Sequence, residues 1–405
     1  MDRSLLETLP DLVGDEPALL SVLGRRSASL VVPESAQAIL LAGIVRRSGR
    51  RPLLVVVPTS SEADQLSGDL GSYLGENEVE LFSAWETLPF ERVSPGIETM
   101  GQRMRVLHRL VNVTDPPSVV VASGRALAQR LVPSAREVSP LVVGSGDTVD
   151  QTDLVKSLVA VGYRREYQVE HRGELAVRGS IVDVWPSTSE APFRIDFWGD
   201  EVDRLFEFGV ADQRPTMAQA ELEVFPSREM IPDPAMRARA EALISEQPWG
   251  RTHWERLAAG ELFDGMESWL PWLANDEGAP AELLNGDALV VVVEPRRLRD
   301  RVSDLEAEER ELAGSLAATW GADGSTFPRL HRDLGWLFEQ KDVPLWTIDP
   351  VAVGPGANKV LASGWGTDWR RPADDESARG ITSRLAELCL LYTSPSPRDA
   401  TLSRM

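Results

Sequence analysis

The sequence predicts an α/β protein in which a parallel-sheet lobe is interrupted by an inserted, hairpin-rich α+β domain. Three observations carry that expectation. Apolar runs alternate with amphipathic stretches through the first part of the chain, short alternating strands take over from about Leu141, and a buried-strand run returns at 288–293. A strand apolar on both sides belongs in a parallel sheet covered by helices on both faces. Strict alternation belongs in an antiparallel sheet with one wet face.

In the lobe the strand runs are "SLVV" at 29–32, "LLVVV" at 53–57, "VELF" at 79–82 and "SVVVA" at 118–122. Helical patterns separate them at 34–47, 61–74, 97–111 and 125–131. The insert opens on one short helix, "TDLVKSLVAVGY" at 152–163. Its clearest hairpin joins 193–198 to 202–208 through Gly199-Asp200, where glycine supplies the positive φ of a two-residue turn. Alternation places Phe193, Ile195 and Phe197 on one side and Arg194, Asp196 and Trp198 on the other. On the second strand it sets Val202, Arg204, Phe206 and Phe208 against Asp203, Leu205 and Glu207. One side has a core to cover, so the side bearing Arg194 and Trp198 is expected to face solvent or a partner.

After Pro226 the chain becomes helical and tryptophan-rich, and Trp249, Trp254, Trp269 and Trp272 at near-helical spacing read as core. "ALVVVV" at 288–293 and a charged helix at 296–316 return to the lobe, and "DPVAVGPGANK" marks a linker. The expected division is a parallel-sheet domain at 1–140, the insert at 141–226 and the second part of the lobe at 227–349. A linker and the start of a further domain follow at 350–388, and then a tail at 389–405. That tail, "CLLYTSPSPRDATLSRM", resembles a translated sequencing-library adapter and holds Cys389, the chain's single cysteine. The expectation is therefore a truncated natural sequence without thiol chemistry, followed by a tail that makes almost no contacts.

Sixty-three acidic residues against 42 basic ones give a net charge of -21, which argues against a free-standing duplex binder. No run is long enough to span a membrane and no signal segment opens the chain, so no membrane partner and a cytoplasmic location are expected. A phosphate loop needs glycines to wrap the phosphates, a lysine for their oxygens and a hydroxyl for Mg²⁺. The turn after the first strand reads "VVPESAQAILL", without glycine or lysine and with Glu34 where a phosphate would lie. The run "ALVVVVEPRR" ends in Glu294 but has Val293 where a metal-binding aspartate would sit. His108, His171, His253 and His331 are scattered without i+3 or i+4 partners, so no metal site is expected, and no "GxSxG" elbow is present.

Two segments of the chain closely resemble the N-terminal UvrB-homology region of the bacterial transcription-repair coupling factor (Mfd) family. One is "FSAWETLPFERVSP" at 82–95. The other is "GYRREYQVEHRGELAVRGSIVDVWP" at 162–186 with "PFRIDFWGDEVDRLFEFGVADQR" at 192–214. The likeness runs in order from about residue 10 to Leu388. It implies a degenerate RecA/helicase-like lobe with an NTPase-like domain at 1–140, related to the excision-repair helicase UvrB but lacking its nucleotide site, with an inserted domain that recruits UvrA. It carries that binding surface onto Arg178, Arg194 and Trp198. The aromatic is phenylalanine in the best-known form, so Trp198 is a departure that keeps a flat apolar face.

The resemblance further implies no cofactor in this part. ATP and Mg²⁺ would serve a C-terminal DNA-translocase motor, and RNA polymerase and DNA would be bound through other parts. The expected function is a non-catalytic adaptor that recruits UvrA to stalled RNA polymerase in transcription-coupled nucleotide excision repair. The alternative is a UvrB-like ATP-dependent helicase subunit, which the missing phosphate loop argues against. The two arginines are expected to form one exposed patch with Trp198 and to meet carboxylates on the partner. The contrary arrangement pairs Arg194 internally with Asp196 or Asp183 and lays Trp198 over a neighbouring strand.

Overall fold

A computed structural model describes residues 5–14, 16–112, 114, 116–274, 283, 284, 286–339, 343–351, 359 and 360. Four strands come first: β1 (Ser27–Val31), β2 (Leu53–Val57), β3 (Val79–Phe82) and β4 (Val119–Ser123). The insert supplies β5 (Leu141–Gly144), β6 (Arg164–Arg165), β7 (Glu174–Arg178), β8 (Ile181–Val184), β9 (Phe193–Trp198), β10 (Glu201–Phe208), β11 (Pro215–Ala218) and β12 (Glu221–Val224). The chain then returns through β13 (Leu289–Val293), β14 (Leu345–Asp349) and β15 (Lys359–Val360).

The lobe is a seven-stranded sheet in the order β15-β1-β14-β13-β2-β4-β3, and every pairing in it is parallel. Its strands β2 and β13 are apolar at every position, and β4 at all but Ser123, because they serve two cores at once. Leu54, Val56, Val120, Ala122, Val290 and Val292 enter one core. Their neighbours Leu53, Val55, Val57, Val119, Val121, Leu289, Val291 and Val293 enter the other. All five residues of β2 are buried, and at about 1.5–3 kcal/mol for each fully buried aliphatic side chain this packing decides the strand's place.

Helices Glu34–Ser48 and Ser60–Leu74 cover one face of the sheet. Ile97–Val111 and Pro295–Trp320 cover the other, together with the tryptophan-rich helices. Thr59 starts the second of these helices with a capping box, its hydroxyl accepting from Glu62 N while the Glu62 carboxylate accepts from Thr59 N. Trp254, Trp269 and Trp272 are buried and Trp249 packs partly buried against them. The ring centroids of Trp249 lie 5.3 Å from Trp320 and 5.2 Å from Phe327. Lys359–Val360 joins β1 as an edge strand, inside the stretch expected to be linker. The rest of 352–388 and the tail at 389–405 lie outside the described residues.

The insert is a six-stranded sheet in the order β11-β10-β9-β8-β7-β6, beside the two-stranded ribbon β12-β5. Helix Gln151–Ala160 covers one face with Leu154 and Leu158, which pack with Val182, Ile195, Phe197, Val202 and Leu205. The expected side assignment on β10 is corrected here. Val202 pairs with Phe197 but Arg204 pairs with Asp196, so a bulge at Asp203 breaks the period of two. Val202 and Leu205 therefore share the core side, while Arg204 and Phe206 lie on the far side opposite Asp196 and Arg194.

Buried polar groups brace the chain where insert and lobe meet. Arg103 and Glu229, both with fully buried side chains, meet at 2.7 Å. Trp85 Nε1 donates to the same carboxylate at 2.8 Å, and Arg103 also donates to the Ser83 carbonyl. Gly101 passes so close to Ser187 that a Cβ would collide with its hydroxyl oxygen. Tyr163 donates to the Phe225 carbonyl at 2.8 Å, and burial pushes its hydroxyl up to about 12.

Candidate partner-binding face

The far face of the insert sheet collects the residues singled out in the sequence. The pairing register sets Arg178 opposite Ile181, Ile181 opposite Asp196, and Asp183 opposite Arg194. Since alternate residues share a side, Arg178, Asp183, Arg194, Asp196 and Trp198 all stand on this face. Trp198 ends β9 at the hairpin, where Gly199 takes φ 65°. Its indole is 81% exposed, a large apolar surface left in water.

The two arginines converge on one carboxylate. Asp183 is fully buried. Arg194 donates from Nε to its Oδ1 at 2.6 Å and from Nη2 to its Oδ2 at 2.9 Å, a fork-to-fork pair. Arg194 Nη1 donates to the Gln213 carbonyl at 3.2 Å, and the guanidinium lies 4.8 Å from the centre of the Phe208 ring. Arg178 donates from Nη2 to the second Asp183 oxygen and, at 3.4 Å, to Gln213 Oε1. The hydrogen bond to Asp183 raises the pKa of Arg194 against the opposing effect of burial.

The expectation that all three residues lie open is thus corrected for Arg194, whose side chain is only 14% exposed against 38% for Arg178. The physical reason is Asp183. A carboxylate cannot be buried unpaired, so it draws in the nearest guanidinium. A small second core of Val169, Ala176 and Phe208, with Trp185 against it, seals the same side.

The carboxyl edge of the lobe's sheet is different in kind. Glu34 opens the helix after β1 directly behind Pro33, with no side-chain cap. Glu294 sits after β13 at φ 47° and accepts from Arg297 at 3.1 Å. On β14, burial and then the charge of Glu294 push Asp349 above the ordinary carboxylate range. Carboxylates therefore line the carboxyl ends of these strands. A cleft of about 370 Å³ at the ends of β3 and β4 is lined by Ser60, Trp85, Thr99, Ser123 and Arg125, but also by Asp64 and Glu86.

Among the described residues no group of three or more His, Cys, Asp and Glu is placed to hold a metal ion, and no helix is long and apolar enough to cross a membrane. Each histidine has a separate setting. His108 meets the Val138 carbonyl, His171 meets Glu174, His331 meets Glu309, and His253 stacks on Trp269.

Comparison with known proteins places the insert. Residues 141–230 match the family described as the UvrB interaction domain. The chain is 38% identical over 308 residues to the transcription-repair-coupling factor of Mycobacterium tuberculosis, covering 72% of this chain and 24% of that protein. The same factor from Bacillus subtilis is 26% identical over 301 residues, covering 70% and 25%. That of Escherichia coli is 29% identical over 274 residues, covering 65% and 22%. The chain spans about a quarter of the length of the curated relatives it matches.

Proposed function

We propose that this chain, a relative of the transcription-repair-coupling factors that carries a UvrB interaction domain, acts in transcription-coupled nucleotide excision repair as a docking module without catalysis of its own. Its partner in this reading is UvrA, engaged through the far face of the insert. Trp198 is the observation that carries the proposal. A ring 81% exposed on a well-packed sheet, beside an arginine with spare donors, has the composition of an interface hot spot.

The carboxylates along the lobe's strand ends support a role for the lobe as scaffold rather than nucleotide site. ATP- and Mg²⁺-driven DNA translocation, and contacts to RNA polymerase and DNA, are assigned to other parts of the parent protein.

Pull-down of purified UvrA by the chain and by its Trp198→Ala variant tests the proposal. Capture by the wild type and loss by the variant, with both melting at the same temperature, is expected. Equal capture by both would move the UvrA site elsewhere.

A further inference from the structure

The bonds around Asp183 are shared unequally between the two arginines. Arg194 commits all three of its nitrogens, two to Asp183 and one to the Gln213 carbonyl, and one face of its plane is covered by Phe208. Among the described residues Arg178 uses Nη2 alone, shared between Asp183 and Gln213, and keeps Nε and Nη1 for other acceptors. Gln213 joins the two sets. Its backbone carbonyl serves Arg194, its side-chain oxygen serves Arg178, and its amide donates to the Val210 carbonyl at 2.9 Å. It does so at φ 60°, a conformation unfavourable for a residue other than glycine. A strained loop residue whose two oxygens each accept from a guanidinium, while its side-chain amide and backbone N–H tie it to the Val210 and Gly209 carbonyls, is a positioning device.

We infer that Asp183 and Gln213 are positioning residues of the docking face, that Arg194 remains bound to them, and that Arg178 is the guanidinium that meets the partner. This deepens the docking proposal and rests on it. The epitope that fits is a carboxylate, received by the free Nε or Nη1 donors of Arg178, beside an apolar slot that takes the Trp198 ring. Asp183 holds the guanidinium plane through Nη2. The incoming carboxylate therefore meets a group whose orientation is already set, and less side-chain freedom is lost on binding. A lysine at 178 would offer one charged point that can serve Asp183 or the partner, but has no planar fork to serve both.

The test titrates the full chain against purified UvrA from Mycobacterium tuberculosis and measures thermal melting of each variant. Arg178→Lys is expected to bind about tenfold more weakly or worse, with melting unchanged. Gln213→Gly is expected to melt at the same or a higher temperature, because glycine takes this φ without strain, and still to bind several-fold more weakly. Its backbone carbonyl remains for Arg194, so what is lost is the support of Arg178 and the side-chain bond to the Val210 carbonyl. If both variants bind as the wild type does while Trp198→Ala fails to bind, the face is the docking site but this division of roles is wrong. If Trp198→Ala also binds normally, the docking proposal fails and this inference fails with it.

Discussion

The two sheets of this molecule use carboxylates in opposite ways. At the strand ends of the lobe, Glu34, Glu294 and Asp349 stand partly in solvent, and burial together with Glu294 makes the charge on Asp349 less comfortable. On the insert's far face a single carboxylate, Asp183, is fully buried and gathers two guanidinium groups around itself. The first arrangement repels anions. The second leaves one positive charge in excess around Asp183 beside an exposed indole, with Asp196 set opposite Arg204 on the same face. The difference teaches that a chain of net charge -21 can still gather a local cationic cluster. What matters is where the carboxylate is buried, since burial decides how many arginines it must recruit.

The harshest way to break the comparison is to remove one carboxylate from each region. Asp183→Ala should destabilise the chain by about 3–5 kcal/mol, because it leaves two guanidinium groups at a buried site without their anion. Glu294→Ala should cost less than about 1 kcal/mol, as its pair with Arg297 is partly exposed. Chemical denaturation of the two variants measures both. Comparable losses would mean that the two carboxylates do similar work.

Next in size is the binding effect of Trp198→Ala, about 2 kcal/mol or more in affinity for UvrA with no change in melting, as for an exposed hot-spot residue. An early melt would make Trp198 a structural residue and remove the contrast.

A pH scan then separates the lobe from the insert. Burial first, and then the charges of Arg92 and Arg256, hold His253 below its ordinary value of 6.5. In the window between the folded value and 6.5 the unfolded chain binds the proton and the folded chain does not. His253 therefore contributes full stability above that window and loses it as the pH falls. Replacing it in a His253→Phe variant should flatten the acid side of the melting profile, and Trp269, stacked on His253 at 4.6 Å, provides a fluorescence readout nearby. An unchanged profile would contradict the assignment.

The smallest expected effect is that of ATP with Mg²⁺ on melting, which should be nil. A ligand at a hundredfold excess over its Kd would add about 2.7 kcal/mol, so a clear upward shift would show a nucleotide site and undo the reading of the lobe.

Much of this architecture is legible in the sequence, and the exceptions share a cause. β2 and β13 read as buried parallel strands because every side chain is apolar, and β4 because all but Ser123 are, and a one-residue slip would not change that pattern. β10 is misread because its bulge at Asp203 depends on pairing with β9, which periodicity within one strand cannot reveal. β14, "LWTID", goes unnoticed because a short run with two polar residues carries little signal, although it sits between β1 and β13 and aligns both.

At the candidate site, alternation places Arg194 and Trp198 on one face, and Asp183 is already a possible partner for Arg194. The burial of Asp183 is what decides between an open and a seated arginine, and burial is a property of the packed sheet. Gln213 is missed altogether, since nothing in "GVADQR" marks a residue whose role comes from a strained loop conformation. The Arg103–Glu229 clasp is missed because its partners lie 126 positions apart in the chain.

Hydrogen exchange of the chain with and without UvrA tests the central claim most directly. The account predicts slower exchange of backbone amides at 178–183, 194–201 and 209–214 in the complex, with the strand ends of the lobe near Glu34 and Glu294 unchanged. Protection confined to the lobe, with those three segments of the insert exchanging as they do in the free chain, would contradict it.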